Sequence, residues 1–230
     1  MGINSQWCRN PQYLYSSEVD SPVSDGQLMA DSTLQFRWIV TLKENLEILF
    51  AQQSDVFIAG DLLWYPVEGD HERCQAPDTM VVFGRPKGER RAYEQWEEMD
   101  MPPQVVFEIY SYSNTVKEMT RKLLFYQEFG VEEYYVYDPE KNELMGAIRK
   151  ENTLTEIVQM QGWTSPRLGI HFEITPEALE VYTPNGERFL TPVELASQRD
   201  QERQRADQEH DRAERLAKRL QEMGVDPSSI

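Results

Sequence analysis

Between residues 104 and 137 the chain spells out a strand, a helix and a second strand, and this unit constrains the fold more than any other feature. Val105-Val106-Phe107-Glu108-Ile109 is a short apolar run rich in β-branched residues, the pattern of a buried strand. Val116, Met119, Leu123, Tyr126 and Phe129 then recur at helical spacing, so the sequence predicts a helix over residues 115–129, with Gly130 as its stop. Ser111-Tyr112-Ser113-Asn114 offers a turn and a candidate cap before it. Tyr134-Tyr135-Val136-Tyr137 is the next strand, closed by Asp138-Pro139. Two strands joined through a helix over about 35 residues pair in parallel, because a tight turn cannot connect parallel strands. The class is therefore α/β, a mixed sheet core flanked by helices.

Two of the apolar runs carry a carboxylate. Asp78, in Ala76-Pro77-Asp78, stands just before the run Met80 to Phe83, and Glu108 stands inside its own. A carboxylate on a buried strand is costly unless it meets a metal, a cation or several donors. A divalent metal is the simplest shared occupant, since hard cations take oxygen ligands. The helix that follows Glu108 places Glu118 and Lys122 four residues apart, hence on one face, with Lys117 and Arg121 as a second such row. Two acids, a backbone carbonyl such as that of Ile109, and an ammonium suit metal-assisted phosphodiester hydrolysis. The metal polarises the phosphate and acidifies a bound water, and the lysine neutralises developing charge or orients that water. Read without chemistry, Asp78 and Glu108 are strand-end acids facing water or an arginine, and Glu118 and Lys122 a surface pair.

The rest of the chain divides by composition. Residues 1–30 read as a polar, turn-rich arm, and residues 34–51 as one amphipathic helix after Asp31-Ser32-Thr33. Extended segments are predicted at 55–60 and 62–66, a long polar connection at 84–103, an antiparallel pair at 144–148 and 154–160, and a closing segment at 163–172. The domain spans 31–180, with a linker at 181–192. A charged helix follows at 193–224, with a weak coiled-coil ladder of Ala206, Glu209, Ala213, Leu216, Leu220 and Met223, and a tail at 225–230. The N-terminus has no basic start or apolar segment, and no apolar run approaches the roughly 20 residues of a spanning helix, so a cytoplasmic chain without membrane contact is expected. Cys8 and Cys74 are isolated and read as free thiols. His71, His171 and His210 share no metal-ligand spacing. Tyr134, Tyr135 and Tyr137 read as strand packing.

The net charge of −17 argues against a general nucleic-acid binder, because phosphates are held mainly by Lys and Arg. The strip Arg85, Lys87, Arg90, Arg91 with Tyr93 and Trp96 is the one basic candidate, and a solvated loop is its simpler reading.

Several motifs in order resemble a known family. They are Ala76-Pro77-Asp78, Pro103 to Glu108 with Ser111 and Ser113, Glu118-x3-Lys122-x3-Tyr126, Gly130-Val131-Glu132-Glu133-Tyr134-Tyr135 and Asp138-Pro139. The run from Trp163 to Phe172 and the charged helix ending Leu220 to Pro227 complete the set. Together they are similar to the Uma-type restriction endonucleases, a branch of the PD-(D/E)XK nuclease superfamily. The resemblance implies a restriction-endonuclease-like core that hydrolyses DNA with Mg²⁺ or Mn²⁺, with Asp78 and Glu108 as metal ligands. The superfamily lysine usually stands two residues after the glutamate, where this chain has Tyr110; Lys122, borne on the helix, matches the family's replacement. Glu118 stands where many relatives have aspartate and would assist through metal or water. The first helix would supply another acid, Glu44 or Glu47, with Glu44 nearer the polar face. A homodimer is expected. The competing reading is a catalytically inactive nuclease core that acts as an oligomerising interaction module through its C-terminal helix.

Overall fold

The computed structural model describes residues 32–222, in two compact units that divide between Phe189 and Leu190. The arm expected at 1–30, Met223 of the ladder and the tail at 225–230 lie outside the described residues. In chain order the first unit holds α1 (Thr33–Leu49), β1 (Val56–Ala59), β2 (Trp64–Tyr65), β3 (Thr79–Phe83), β4 (Tyr93–Glu94), β5 (Val105–Ile109), α2 (Val116–Glu128), β6 (Glu133–Asp138), β7 (Glu143–Lys150), β8 (Thr153–Glu156), β9 (His171–Ile174) and β10 (Leu179–Tyr182). The second unit is built on α3 (Pro192–Glu222), on which Val193 and Leu216 are exposed. No described helix is long and apolar enough to cross a membrane.

Six strands form one mixed sheet in the order β1-β3-β5-β6-β7-β8. Its one parallel pair is β5–β6, with α2 as the connection, as the strand–helix–strand pattern requires. The two faces follow from the period of two along each strand. On β5, Val105, Phe107 and Ile109 face one way and join Ile39, Leu42 and Leu46 of α1. Val106 faces the other way, with Met80, Val82, Val136 and Tyr126 of α2. Each helix thus covers one face, and Glu108 lies on the α2 face by parity with Val106.

Both ends of α2 are fixed. Thr115, not the preceding Ser111–Asn114 turn, is the N-cap, and it forms a capping box with Glu118. The helix begins only at Val116, so the earlier residues stand too far upstream to reach its free amides. At the other end Arg149 of β7 donates to the carbonyls of Gln127 (2.7 Å), Tyr126 (3.3 Å) and Val131 (2.8 Å). These include carbonyls that a helix end leaves without intrahelical partners.

Other segments depart from expectation where partners are distant in sequence. The ladder of β8 ends at Glu156, and Ile157 and Met160 turn into the core. The β9–β10 hairpin carries Phe172, Leu179 and Val181 into the core, and Phe189 is buried with them, although residues 181–192 read as a linker. The core there is reached through alternating apolar residues that the punctuation at Pro166 and Gly169 obscures. The polar connection at 84–103 holds β4 and a short 3₁₀ helix, Gln95–Glu98.

Replacing Arg149 with alanine should cost about 2–3 kcal/mol, the scale of charge-assisted hydrogen bonds to buried backbone. Urea unfolding of the variant beside the parent chain measures it.

Candidate active site

The antiparallel register of β3 and β5 pairs Thr79 with Phe107. One step further along that register sets Asp78 opposite Glu108. Side chains directly opposite across such a pair have Cβ atoms about 4.5–5.5 Å apart. Both acids are buried, at 7% and 2% exposure. The sequence pair is therefore one site, made by strand register alone.

The chain passes close behind it. A Cβ on Gly60 would stand 3.3 Å from the Asp78 carbonyl oxygen, and Asp61, at φ 50°, donates its amide to the Pro77 carbonyl at 3.0 Å. The glycine permits this approach, which brings the Asp61 charge into the field of Asp78.

Donors from two elements, β5 and α2, offset the two acids, and α1 braces the first of these elements. The Ile109 amide donates to Asp78 Oδ2 at 2.6 Å. From α2, Lys122 Nζ meets Glu108 Oε2 at 2.7 Å, and the Tyr126 hydroxyl donates to Glu108 Oε1. Residues 122 and 126 are one helical step apart on the same face, so a single helix holds both oxygens of the carboxylate. From α1, buried Gln35 donates its side-chain amide to the Ile109 carbonyl at 3.0 Å.

The electrostatics follow from burial. Desolvation and the adjacent Glu108 charge push the Asp78 carboxyl well above the usual carboxylate range, against the pull of Lys122 and the Ile109 amide. Burial alone would pull the Lys122 ammonium down, but Glu108 and Asp78 outweigh it and hold the ammonium above its ordinary value. Burial and the Glu108 charge also raise Tyr126 and Tyr134, which keeps both hydroxyls protonated. The Tyr134 hydroxyl is buried without a hydrogen-bond partner, and its ring lies 5.2 Å from that of Tyr126.

Asp78, Glu108 and Lys122 thus come together, with Ile109 bonded to Asp78 through its amide. Glu118 is spent on the cap: its carboxylate accepts from the Thr115 amide (3.4 Å) and the Asn114 side chain (3.3 Å), and it reaches the site only through its charge on Lys122. Glu44 is half-exposed and paired with Lys43 at 3.0 Å, and Glu47 is paired with Lys87 at 3.4 Å. The α1 residue bonded to the site is Gln35. Sequence reading gave Gln35 no role, placed Tyr126 only in the helix pattern and the family motif, and read Tyr134 as strand packing; Tyr126 alone had a local signal for the site, its four-residue step from Lys122. Two residues of the basic strip form an internal brace. Arg85 and Arg90 both grip Glu98 at 2.7 and 2.5 Å, Arg90 stacks over Phe57, and Tyr93 is buried.

Among the described residues no group of three or more His, Cys, Asp or Glu is arranged to hold a metal. The donor set still fits one kind of ion. Mg²⁺ binds through one or two carboxylates, keeping waters and substrate oxygens for the rest, whereas an all-protein cage needs more ligands. Two facing carboxylates beside an unpartnered hydroxyl have that chemistry.

A family model described as "Uma2: Putative restriction endonuclease" matches residues 12–181. No curated protein matches the chain. Among solved structures, a nuclease assigned to DUF820 from Anabaena variabilis, titled "putative", aligns with TM-score 0.43 and 13% identity, covering 63% of this chain and 79% of that one.

Asp78→Asn should stabilise the fold at neutral pH. The raised folded-state pKa means that folding binds a proton here. The stability from this group is complete below the ordinary aspartate value of 3.8 and is lost as pH rises through the folded one. Asparagine keeps an acceptor for Ile109 and removes the charge. Thermal unfolding should show Tm higher by roughly 2–4 °C at pH 7.5, the equivalent of about 1 kcal/mol in a chain of this size. The gain should shrink as the pH falls toward 4.

Proposed function

Because the chain belongs to the Uma2 family, described as "Putative restriction endonuclease", we propose that it is a metal-dependent endonuclease hydrolysing phosphodiester bonds in DNA. The observation that carries this reading is the meeting of Asp78, Glu108 and Lys122 at the end of β3 and β5. Asp78 and Glu108 would hold Mg²⁺ or Mn²⁺, which supplies Lewis acidity toward a phosphate oxygen and acidifies a water.

The chain's own groups do the remainder. Lys122 stays charged in the buried site and stabilises the negative charge that grows on the phosphate oxygens. Tyr126 and Lys122 fix the Glu108 carboxylate, and the Ile109 amide fixes Asp78. Glu118 acts at one remove, by closing the α2 cap that aims Lys122. Burial keeps bulk water from screening these charges.

The acidity of the chain gives the reading a specific form. With Arg85 and Arg90 committed to Glu98, these two are not free to track a duplex, and phosphate binding within the site rests on Lys122 and the cation. Cleavage should then depend steeply on the divalent ion.

Nicking of supercoiled plasmid by the purified chain tests this. With Mg²⁺ or Mn²⁺ the parent should nick and with EDTA it should not. Glu108→Gln and Lys122→Met should each lose about 10²-fold or more in rate while circular dichroism stays unchanged. Undiminished nicking by folded Glu108→Gln would overturn the assignment.

A further inference from the structure

We propose that Tyr126 determines which divalent cations the site accepts, by holding Glu108 so that its carboxylate cannot chelate. The inference rests on the metal-dependent reading above and narrows it, to small octahedral cations such as Mg²⁺ and Mn²⁺ in preference to Ca²⁺.

Glu108 has little freedom. It lies one residue from the end of β5, paired with Val136 of β6 and directly after the β3 pairing that ends at Phe107, so its backbone is held and its own torsions are what can move the carboxylate. Those torsions are opposed by two donors, one on each oxygen, Lys122 on Oε2 and Tyr126 on Oε1. Each oxygen keeps a lone pair for a cation, but chelation through both would require the group to turn out of its clamp.

The two donors differ in how readily they yield. Lys122 is an ammonium on a flexible four-carbon stem that can swing and remake its bond. The Tyr126 ring is fully buried, stacked on Trp64 at 6.3 Å with planes 2° apart and packed against Phe125 and Tyr134. Its hydroxyl cannot follow a turning carboxylate. The last turn of the helix is also tied to β7 through Arg149, which opposes a shift that would release it.

A rigid donor on one oxygen matters differently to different ions. Ca²⁺ takes six to eight oxygens and commonly uses a carboxylate in bidentate fashion, whereas Mg²⁺ takes single oxygens at short distance and keeps its waters. Tyr126 therefore costs Mg²⁺ nothing and costs Ca²⁺ a hydrogen bond. It is a positioning residue: it touches Glu108, and its effect on the cation passes through Glu108.

Titration calorimetry of the full chain with MgCl₂, MnCl₂ and CaCl₂, for the parent and Tyr126→Phe, tests this. In Tyr126→Phe the affinity for Ca²⁺ relative to Mg²⁺ should rise on the order of fivefold, the equivalent of one hydrogen bond. An unchanged ratio in the folded variant overturns the inference and leaves the metal-dependent reading standing. No binding of any of these ions by the parent overturns both. Should Tyr126→Phe fail to fold, difference infrared spectra of the parent decide. Mg²⁺ should produce a monodentate carboxylate signature that is missing from Glu108→Gln, and a bidentate signature with Mg²⁺ overturns the inference.

Discussion

The organising constraint is the burial of two carboxylates side by side on one sheet face. A single unpaired charge taken from water costs several kcal/mol, and a second like charge opposite it adds to that. The register of β3 and β5 makes the juxtaposition unavoidable, since Met80 and Val106 must both face α2 and the same parity carries Asp78 and Glu108 there. What surrounds the pair answers to it: the Ile109 amide, the ammonium and hydroxyl from α2, and the side-chainless Gly60 that lets the chain pass behind Asp78.

Glu133 shows what the same residue type looks like without that tension. It is as deeply buried, on the opposite face of β6, and its oxygens accept from the Tyr135 and Ser165 hydroxyls and from the Arg167 amide at 2.7 Å. These hydrogen-bond donors are neutral, the Arg167 guanidinium acts on it through its charge, and no second acid faces it among the described residues. Glu133 docks the 163–170 segment onto the sheet. The two buried settings thus differ in whether the compensation is complete and local, or shared with a second acid.

The strand–helix–strand unit was legible because its signals are local: β-branched runs, one helical period and a glycine stop. The acids were legible because a charge inside an apolar run is conspicuous in one dimension. Lys122 joined them through its helical phase. What could not be read depends on pairing over distance. Gln35 reaches Ile109 across 74 positions, and neither residue type announces it. Arg85 and Arg90 looked like an exposed strip because their common partner, Glu98, carries no mark that it would fold back between them. Glu118 has two local meanings, cap and ligand, and only the onset of α2 at Val116 chooses the first.

Arg149 sits at the far side of the sheet, on a strand that touches neither acid, yet it bonds the last turn of the helix that presents the ammonium. The β7 strand therefore works as a gauge: its pairing with β6 sets how far α2 can slide along its own axis. A one-residue slip in that pairing would turn Arg149 to the opposite face of the sheet and leave the last turn of α2 without its guanidinium. The pairing of the outer strands is thus under the same demand for precision as the acids themselves, and drift there would show first at the Lys122–Glu108 contact rather than in the fold.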